Sequence, residues 1–532
     1  MLDATQQSTT VAAPGHGMHK TEVINGAPAN DSSTGFRFSR LFPNAPGFNI
    51  SPDAALALGA AMTSVADAPN GDPLSRRDSP IPAGYTYFGQ FIDHDITRDV
   101  TGDDDALSDG MPPAMTALRQ FRSPTLDLDS VYGATPADSK GGTSPRTGPN
   151  FIFEMTEPSQ GQGRSGESLP FDLPRTDDGR VLIPDDRNDE NLIVGQMHLA
   201  WMKFHNAVVS KLKSQDLNLA DDQAFQDART LVTQHYQHIV LFDFLKRICD
   251  PKVHQTVVAK QKPHYCAPTA GEAVEMPLEF AAAAFRFGHT MIRQLYNWNV
   301  NFSFGAFGPA TFDPASNPFS LFKFTNRTLT KSAPLPTNWI ADWRRLLDFS
   351  GTGADDGGIT PTPSAAFDPY LAPGMGTLGR EMTGGPSVLN NLAASNMRRA
   401  ALRGVPSGQD VSREMSTVKM LTKAEMKQDL DPNMQDLVDT LELDVKAPLW
   451  FYILQEANAR ASGAHLGEMG SQIVCETFMA LVKGSKPSIT QSGWTPEDSP
   501  LRLANGNTVG DLPSVFVFCE ENGFPLINPL EA

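Results

Sequence analysis

From Asn191 onward, apolar residues return at steps of three and four: Ile193, Met197, Trp201, Phe204, Val208 and Leu212. That spacing draws one apolar stripe down a long helix, and other elements must cover the stripe. A second long helix is expected over about 223–248, after Asp221 and Asp222 at its start. Phe225, Ala228, Val232, Ile239, Phe242 and Leu245 lie along it. A third is expected over about 278–294, carrying Phe285, His289 and Ile292. The helical pattern returns over 387–403, 413–428, 432–442, 446–460 and 467–483. Strand-like alternation is scarce, with one candidate strand at 515–518 in an otherwise irregular tail. The expected class is mainly α, with long ordered loops and very little β.

The remaining stretches are loop-like. Residues 1–35 lack periodicity and read as a flexible arm. Residues 36–190 are dense in Pro, Gly and Asp, which fits short helices and long loops. Residues 297–385 are loop-rich, with a short helical piece at 339–349. Long loops in a compact domain are often functional. A chain of 532 residues has room for several domains. No linker interrupts its middle, so one domain over 36–532 is expected.

The net charge of -18 argues against nucleic acid as a partner, because the phosphates would be repelled. No run approaches the ~20 apolar residues of a spanning helix. The start of the chain is polar and shows no secretory leader, so the cytoplasm or a leaderless export route is expected. Cys249, Cys266, Cys475 and Cys519 lack zinc-site spacing and are too sparse for a disulfide scaffold.

Four segments carry chemistry. Gln90-Phe91-Ile92-Asp93-His94-Asp95 sets a histidine between two carboxylates in an apolar context that includes Tyr85, Tyr87 and Phe88. Residues 123–133 hold oxygen side chains at alternate positions (Ser123, Thr125, Asp127 and Asp129), which suits a hard cation such as Ca²⁺. The spacing is not that of an EF-hand. Asp185-Asp186-Arg187-Asn188-Asp189-Glu190 places Arg187 and Glu190 three apart, on one face of a helix. Residues 284–292 place His289 on an apolar helix, beside Gly288, where a flat group can approach the backbone. Singly, each has an ordinary structural reading: a core histidine, an Asx-rich turn, an acidic helix N-terminus. His198, His205, His235 and His238 are read as structural.

Together, in order and in residue identity, the segments resemble the animal-type haem peroxidases of the peroxidase–cyclooxygenase superfamily, over roughly 36–485 and as a bacterial-type member. GQFIDHD resembles the family's distal-histidine motif and FRFGHT its proximal one. LDLDSVYG resembles its calcium loop, DRNDE its catalytic-arginine motif, and Ser395-Asn396-Met397-Arg398-Arg399 a further family run. The resemblance implies haem b with His289 as iron ligand and Asn396 bonded to the other ring nitrogen. It implies His94 as the base for hydrogen peroxide, Arg187 as the stabiliser of the departing charge, and Gln90 as a holder of distal water. Asp93 and Glu190 would form esters to haem methyl groups, and Arg286 and Arg399 would lie near the propionates. Asp95 would join Ser123, Thr125, Asp127 and Asp129 around Ca²⁺.

The implied activity is peroxide-dependent oxidation of halide, thiocyanate or phenols through an oxoferryl state. A fatty-acid oxygenase of the same superfamily is the alternative, and a non-catalytic haem- or calcium-binding interaction protein a third reading. Related dioxygenases carry tyrosine three residues before the proximal histidine, where this chain has Arg286. Asn191 stands where a sulfonium-linked relative has methionine, so no such link is expected.

Overall fold

The computed structural model describes residues 36–65, 76–99, 118, 120, 122–133, 144–266, 274–303, 319–321, 334–377, 388 and 390–531. The expected N-terminal arm and part of the loop-rich 297–385 stretch lie outside them. Among the described residues the longer helices are α1 (Pro52–Met62), α2 (Gly84–Ile96), α3 (Leu192–Gln215) and α4 (Asp221–Ile239). They continue with α5 (Leu392–Leu402), α6 (Leu449–Ala461), α7 (Glu468–Gly484) and α8 (Leu512–Glu521). The β structure described is limited to two-stranded ladders and isolated bridges. No helix among the described residues is long and apolar enough to cross a membrane.

The apolar stripe after Asn191 forms α3. Asn191 caps it by accepting from the Val194 amide at 3.0 Å. α3 packs against α2, α4 and α8. An aromatic cluster sets the angle of α2. Trp201 on α3 stacks on Phe88 and Phe91, with ring centroids 5.8 and 6.0 Å apart. Tyr236 on α4 meets both phenylalanines and Trp201 edge-on. These rings are buried, and each contributes roughly 1.5–3 kcal/mol of burial.

Three expectations are corrected. The helix expected over 278–294 is broken into Leu278–Ala281, a 3₁₀ turn Ala284–Phe287 and Gly288–Met291. Arg76 explains its end: its guanidinium donates to the carbonyls of Thr290 and Ile292, which a continuing helix would need. Leu295–Tyr296 then pairs as a strand with Phe319–Ser320. The expected helix 413–428 is two, Gly408–Glu414 and Lys423–Lys427, each with its own N-cap at Ser407 and Thr422. Between them the Leu421 amide donates to the Tyr452 hydroxyl at 2.7 Å. The candidate strand at 515–518 lies inside α8. Its Val-Phe-Val-Phe run is buried on every side, so it lacks the polar face that marks a helix.

The second expected helix is real but not uniform. α4 passes through a π-helical turn, Val240–Phe244, into Leu245–Ile248. Such turns swing side chains out of helical register and recur at functional sites.

Candidate functional site

α2 supplies one wall. Gln90, Asp93 and His94 fall at helical spacing and share a face, while Asp95 is turned about 100° away from His94. The broken 284–292 segment supplies the other wall. Between them is a narrow cleft whose lining includes Gln90, Asp93, Arg286, Gly288 and His289. A Cβ added at Gly288 would meet nothing within 4 Å, so empty space faces that backbone, as a flat ligand requires.

His289 is buried, and its Nδ1 lies 2.8 Å from the Asn396 side-chain amide on α5. The amide offers a donor or, after a half-turn, an acceptor for an Nδ1 proton, which frees Nε2 for a metal. Arg286 is half-buried on the cleft wall and donates to the Ala281 carbonyl at 3.1 Å. Arg399 is half-buried on α5, one turn after Asn396. Asp93 is half-buried, and its Oδ1 accepts from Thr97 Oγ1 at 3.0 Å.

His94 sits behind this wall, 1% exposed. Its Nδ1 donates to Asn188 Oδ1 at 2.8 Å, and the Asn188 amide nitrogen donates to His198 Nδ1 at 3.0 Å. Burial pushes His198 down to about 3, so it is neutral and can accept. The proton of neutral His94 is thereby held on Nδ1, and Nε2 is the basic nitrogen. That Nε2 is 3.8 Å from Glu190 Oε1. Glu190 accepts from Gln90, whose own carbonyl accepts from Asn191 at 3.1 Å. Burial, reinforced by Asp185 and Asp93 and opposed by Arg187, pushes Glu190 up to about 8.

Arg187 is buried at the C-terminal end of α2. It donates to the carbonyls of His94 and Thr97 at 3.0 and 2.7 Å, and to both oxygens of Asp185. It therefore caps the helix that carries His94. Burial raises the Asp185 pKa, but Arg122, Arg187 and Arg98 outweigh it and hold this carboxylate well below its ordinary value. Arg187 and Glu190 lie in and just after a 3₁₀ turn, Asp186–Asp189.

Within the oxygen-rich loop the side chains hydrogen-bond to one another. Ser123 Oγ donates to Asp129 at 2.5 Å, and Thr125 Oγ1 donates to Asp127 at 2.7 Å. Asp95 reaches this loop from α2: its Oδ1 accepts from the Ser130 amide at 3.0 Å. Its Oδ2 is buried with no protein hydrogen bond of ordinary geometry. Burial pushes Asp95 up to about 7, and burial with Asp129 and Asp95 pushes Asp127 up. Crowded carboxylates with an unsatisfied oxygen are the donor set a hard cation takes. Among the described residues, no three acidic, His or Cys side chains converge at ligating distance, so Asp95, Asp127 and Asp129 do not together surround one point in this arrangement.

Sequence reasoning missed Asn188. It lies inside the DRNDE run, yet its partners come from α2 and α3, which no local spacing reveals. His198, read as structural, belongs to the same chain of hydrogen bonds.

The family model for "Animal haem peroxidase" matches residues 108–486, which includes Arg187, His289 and Asn396 and begins after His94. Human thyroid peroxidase is 29% identical over 214 residues, 37% of this chain and 22% of that protein. A peroxidase-like protein of Margaritifera margaritifera is 28% identical over 254 residues, 40% of this chain and 32% of that one. These alignments thus span about a fifth to a third of the relatives. Among solved structures, peroxidase A of Dictyostelium discoideum superposes with a TM-score of 0.57 at 17% identity, covering 91% of this chain and 95% of its own. Fatty acid alpha-dioxygenase of Oryza sativa gives 0.56 at 12% identity, covering 90% and 79%. At these identities the two superpositions establish the shared, mainly helical fold.

Proposed function

The chain belongs to the animal haem peroxidase family, and from that membership and two histidines, His289 in the cleft lining and His94 behind the other wall, we propose that it is a hydrogen-peroxide-dependent haem peroxidase. The observation that carries this reading is the opposed pair of oriented histidines. His289 backs one wall with Asn396 behind it. His94 backs the other, with Asn188 holding its proton on Nδ1.

His289 would hold the iron of haem b, and Arg286 and Arg399 would meet the propionates. Asp93 and Glu190 would supply the ester oxygens; the half-buried Asp93 is already on the cleft wall. Haem, when bound, supplies the redox centre that peroxide oxidises and that then oxidises the donor. The protein groups manage protons. His94 Nε2 takes the peroxide proton and returns it to the departing oxygen. Arg187 adds positive potential as charge develops there, and Gln90 orients water. Asp95, Ser123, Thr125, Asp127 and Asp129 would bind Ca²⁺ and brace α2 from its far side.

Donors are small anions (bromide, thiocyanate) and phenols. Arg286, in place of a tyrosine three residues before His289, supports this over lipid oxygenation. The test is a haem-loaded protein assayed with peroxide and bromide, thiocyanate or a phenol. Activity with any of these, lost in His94→Ala, is the expected result. Lipid-dependent O₂ uptake without peroxide would instead make it an oxygenase. Absence of a Soret band after haem loading would remove the proposal.

A further inference from the structure

A second cleft lies behind the first. It has a cavity volume of about 220 Å³, and its lining includes Arg247, Asp348, Thr352, Asn507 and Asp511. One residue lines both clefts: Tyr85, on the first turn of α2. Its side chain is 1% exposed and forms part of the wall between them.

The surroundings of Tyr85 are specific. Its hydroxyl donates to Asp243 Oδ2 at 2.7 Å. Asp243 sits on the π-helical turn of Val240–Phe244 and also accepts from Arg247 Nε and the Leu512 amide, at 2.7 and 2.9 Å. The Arg247 guanidinium carbon is 4.5 Å from the centre of the Tyr85 ring. Burial first, then Asp243, push the phenol well above its usual pKa, so it is protonated at neutral pH. A cation over the ring opposes loss of an electron alone. Loss of an electron with the proton leaves no net charge on the ring, and Asp243 is in place to accept that proton. Tyr370 also donates to a carboxylate, Asp431, but lines neither cleft.

We propose that Tyr85 is a one-electron relay from the haem cleft to a separate donor site in the outer cleft, which takes phenols too bulky to reach the haem. This rests on the peroxidase reading. In the first step Tyr85 would give one electron to the haem cleft, where peroxide supplies the oxidising equivalent; its phenolic O–H bond breaks, and the proton moves to Asp243. The products are a neutral tyrosyl radical and a protonated Asp243. In the second step a phenol in the outer cleft gives one electron to Tyr85, Asp243 returns the proton, and the donor's own proton leaves to solvent. Peroxide supplies the oxidising equivalents, and each turn of the relay releases one phenoxyl radical. Asp348 and Asp511 make the outer cleft unfavourable for halide, so small anions react at the haem itself.

Haem-loaded wild type, Tyr85→Phe and Asp243→Asn test this. Each is given peroxide without donor in the presence of a nitroso spin trap, then digested and mapped by mass spectrometry. The expected adduct is on Tyr85, with a tyrosyl signal in electron paramagnetic resonance that weakens in Tyr85→Phe. With a polymer-bound phenol, the ratio of phenol to bromide oxidation is expected to fall about tenfold in Tyr85→Phe, and to fall in Asp243→Asn. Wild type that reacts with peroxide but carries no adduct on Tyr85, or an unchanged ratio, overturns the relay alone. Wild type that binds haem yet does not react with peroxide overturns the peroxidase reading and the relay with it. If Tyr85→Phe does not fold, the wild-type adduct map and Asp243→Asn decide.

Discussion

His94 is buried next to a carboxylate, and Asn188 rather than any charged partner fixes its proton. If His94 is the base for peroxide, His94→Ala slows the reaction with peroxide by about 10²–10⁴-fold. Asn188→Ala keeps the imidazole but frees its tautomer, and is expected to cost about 10–100-fold. Stopped-flow absorbance of the haem band measures both. Equal losses would mean that Asn188 does more than orient His94. Glu190 offers a separate test in the cofactor-free protein. Its pKa is raised to about 8 from an ordinary 4.5, so the folded state binds the extra proton. Its contribution to stability is full below about 4.5 and is lost as pH rises through 8. Urea melts across that window should show a smaller decline in Glu190→Gln than in wild type. Asp95 and Glu456, both raised to about 7 mainly by burial, leave a residual slope in the variant. Identical slopes would show that Glu190 is not buried as a neutral acid. The short motifs at 90–95 and 185–190 were legible because their residues sit together in the chain. The proton path was not, because Asn188 joins α2 to α3 across long sequence separations.

Element by element, legibility followed the source of the hydrogen bonds. α3 and α7 satisfy their own backbones over 24 and 17 residues, and polar residues break up their apolar ones, so a 3.6-residue period shows although both are buried on nearly every side. The 284–292 segment does not: Arg76 takes its carbonyls, and its apolar residues mimic a helix that stops short. α8 fails for another reason: it has 10 residues and an unbroken Val-Phe-Val-Phe run with no period to read, although Asp511 and Pro513 at its start were readable as a cap. The aromatic cluster predicts what holds α2 in place. Trp201→Ala should cost about 3–5 kcal/mol in denaturant melts, and it should weaken haem retention by loosening the helix that carries Gln90, Asp93 and His94. Haem retention equal to wild type would place the support of α2 elsewhere, at the Arg187 cap or the loop at 123–130. That loop has its own test. Calcium at about a hundred times its Kd should stabilise the protein by about 2.7 kcal/mol, and Asp127→Ala should abolish the gain. A calcium effect that survives Asp127→Ala would move the ion to another site.

At the scale of the whole molecule, the charge bears on which donors arrive. A net charge of -18 surrounds the protein with a negative potential that repels halide and thiocyanate. Arg286 at the cleft gives a local attraction of opposite sign, but a single guanidinium acts over a shorter range than the summed acidic surface. Salt screens the long-range field first, with a Debye length of about 10 Å at 0.1 M. The kcat/KM for thiocyanate should therefore rise as an inert salt is added from low ionic strength, whereas that for an uncharged phenol should stay flat. Measuring both donors in one salt series separates the field from any general effect of salt on the protein. A thiocyanate rate that falls with salt would show that Arg286 and its neighbours dominate the approach. Parallel curves for the two donors would show that encounter does not limit either reaction.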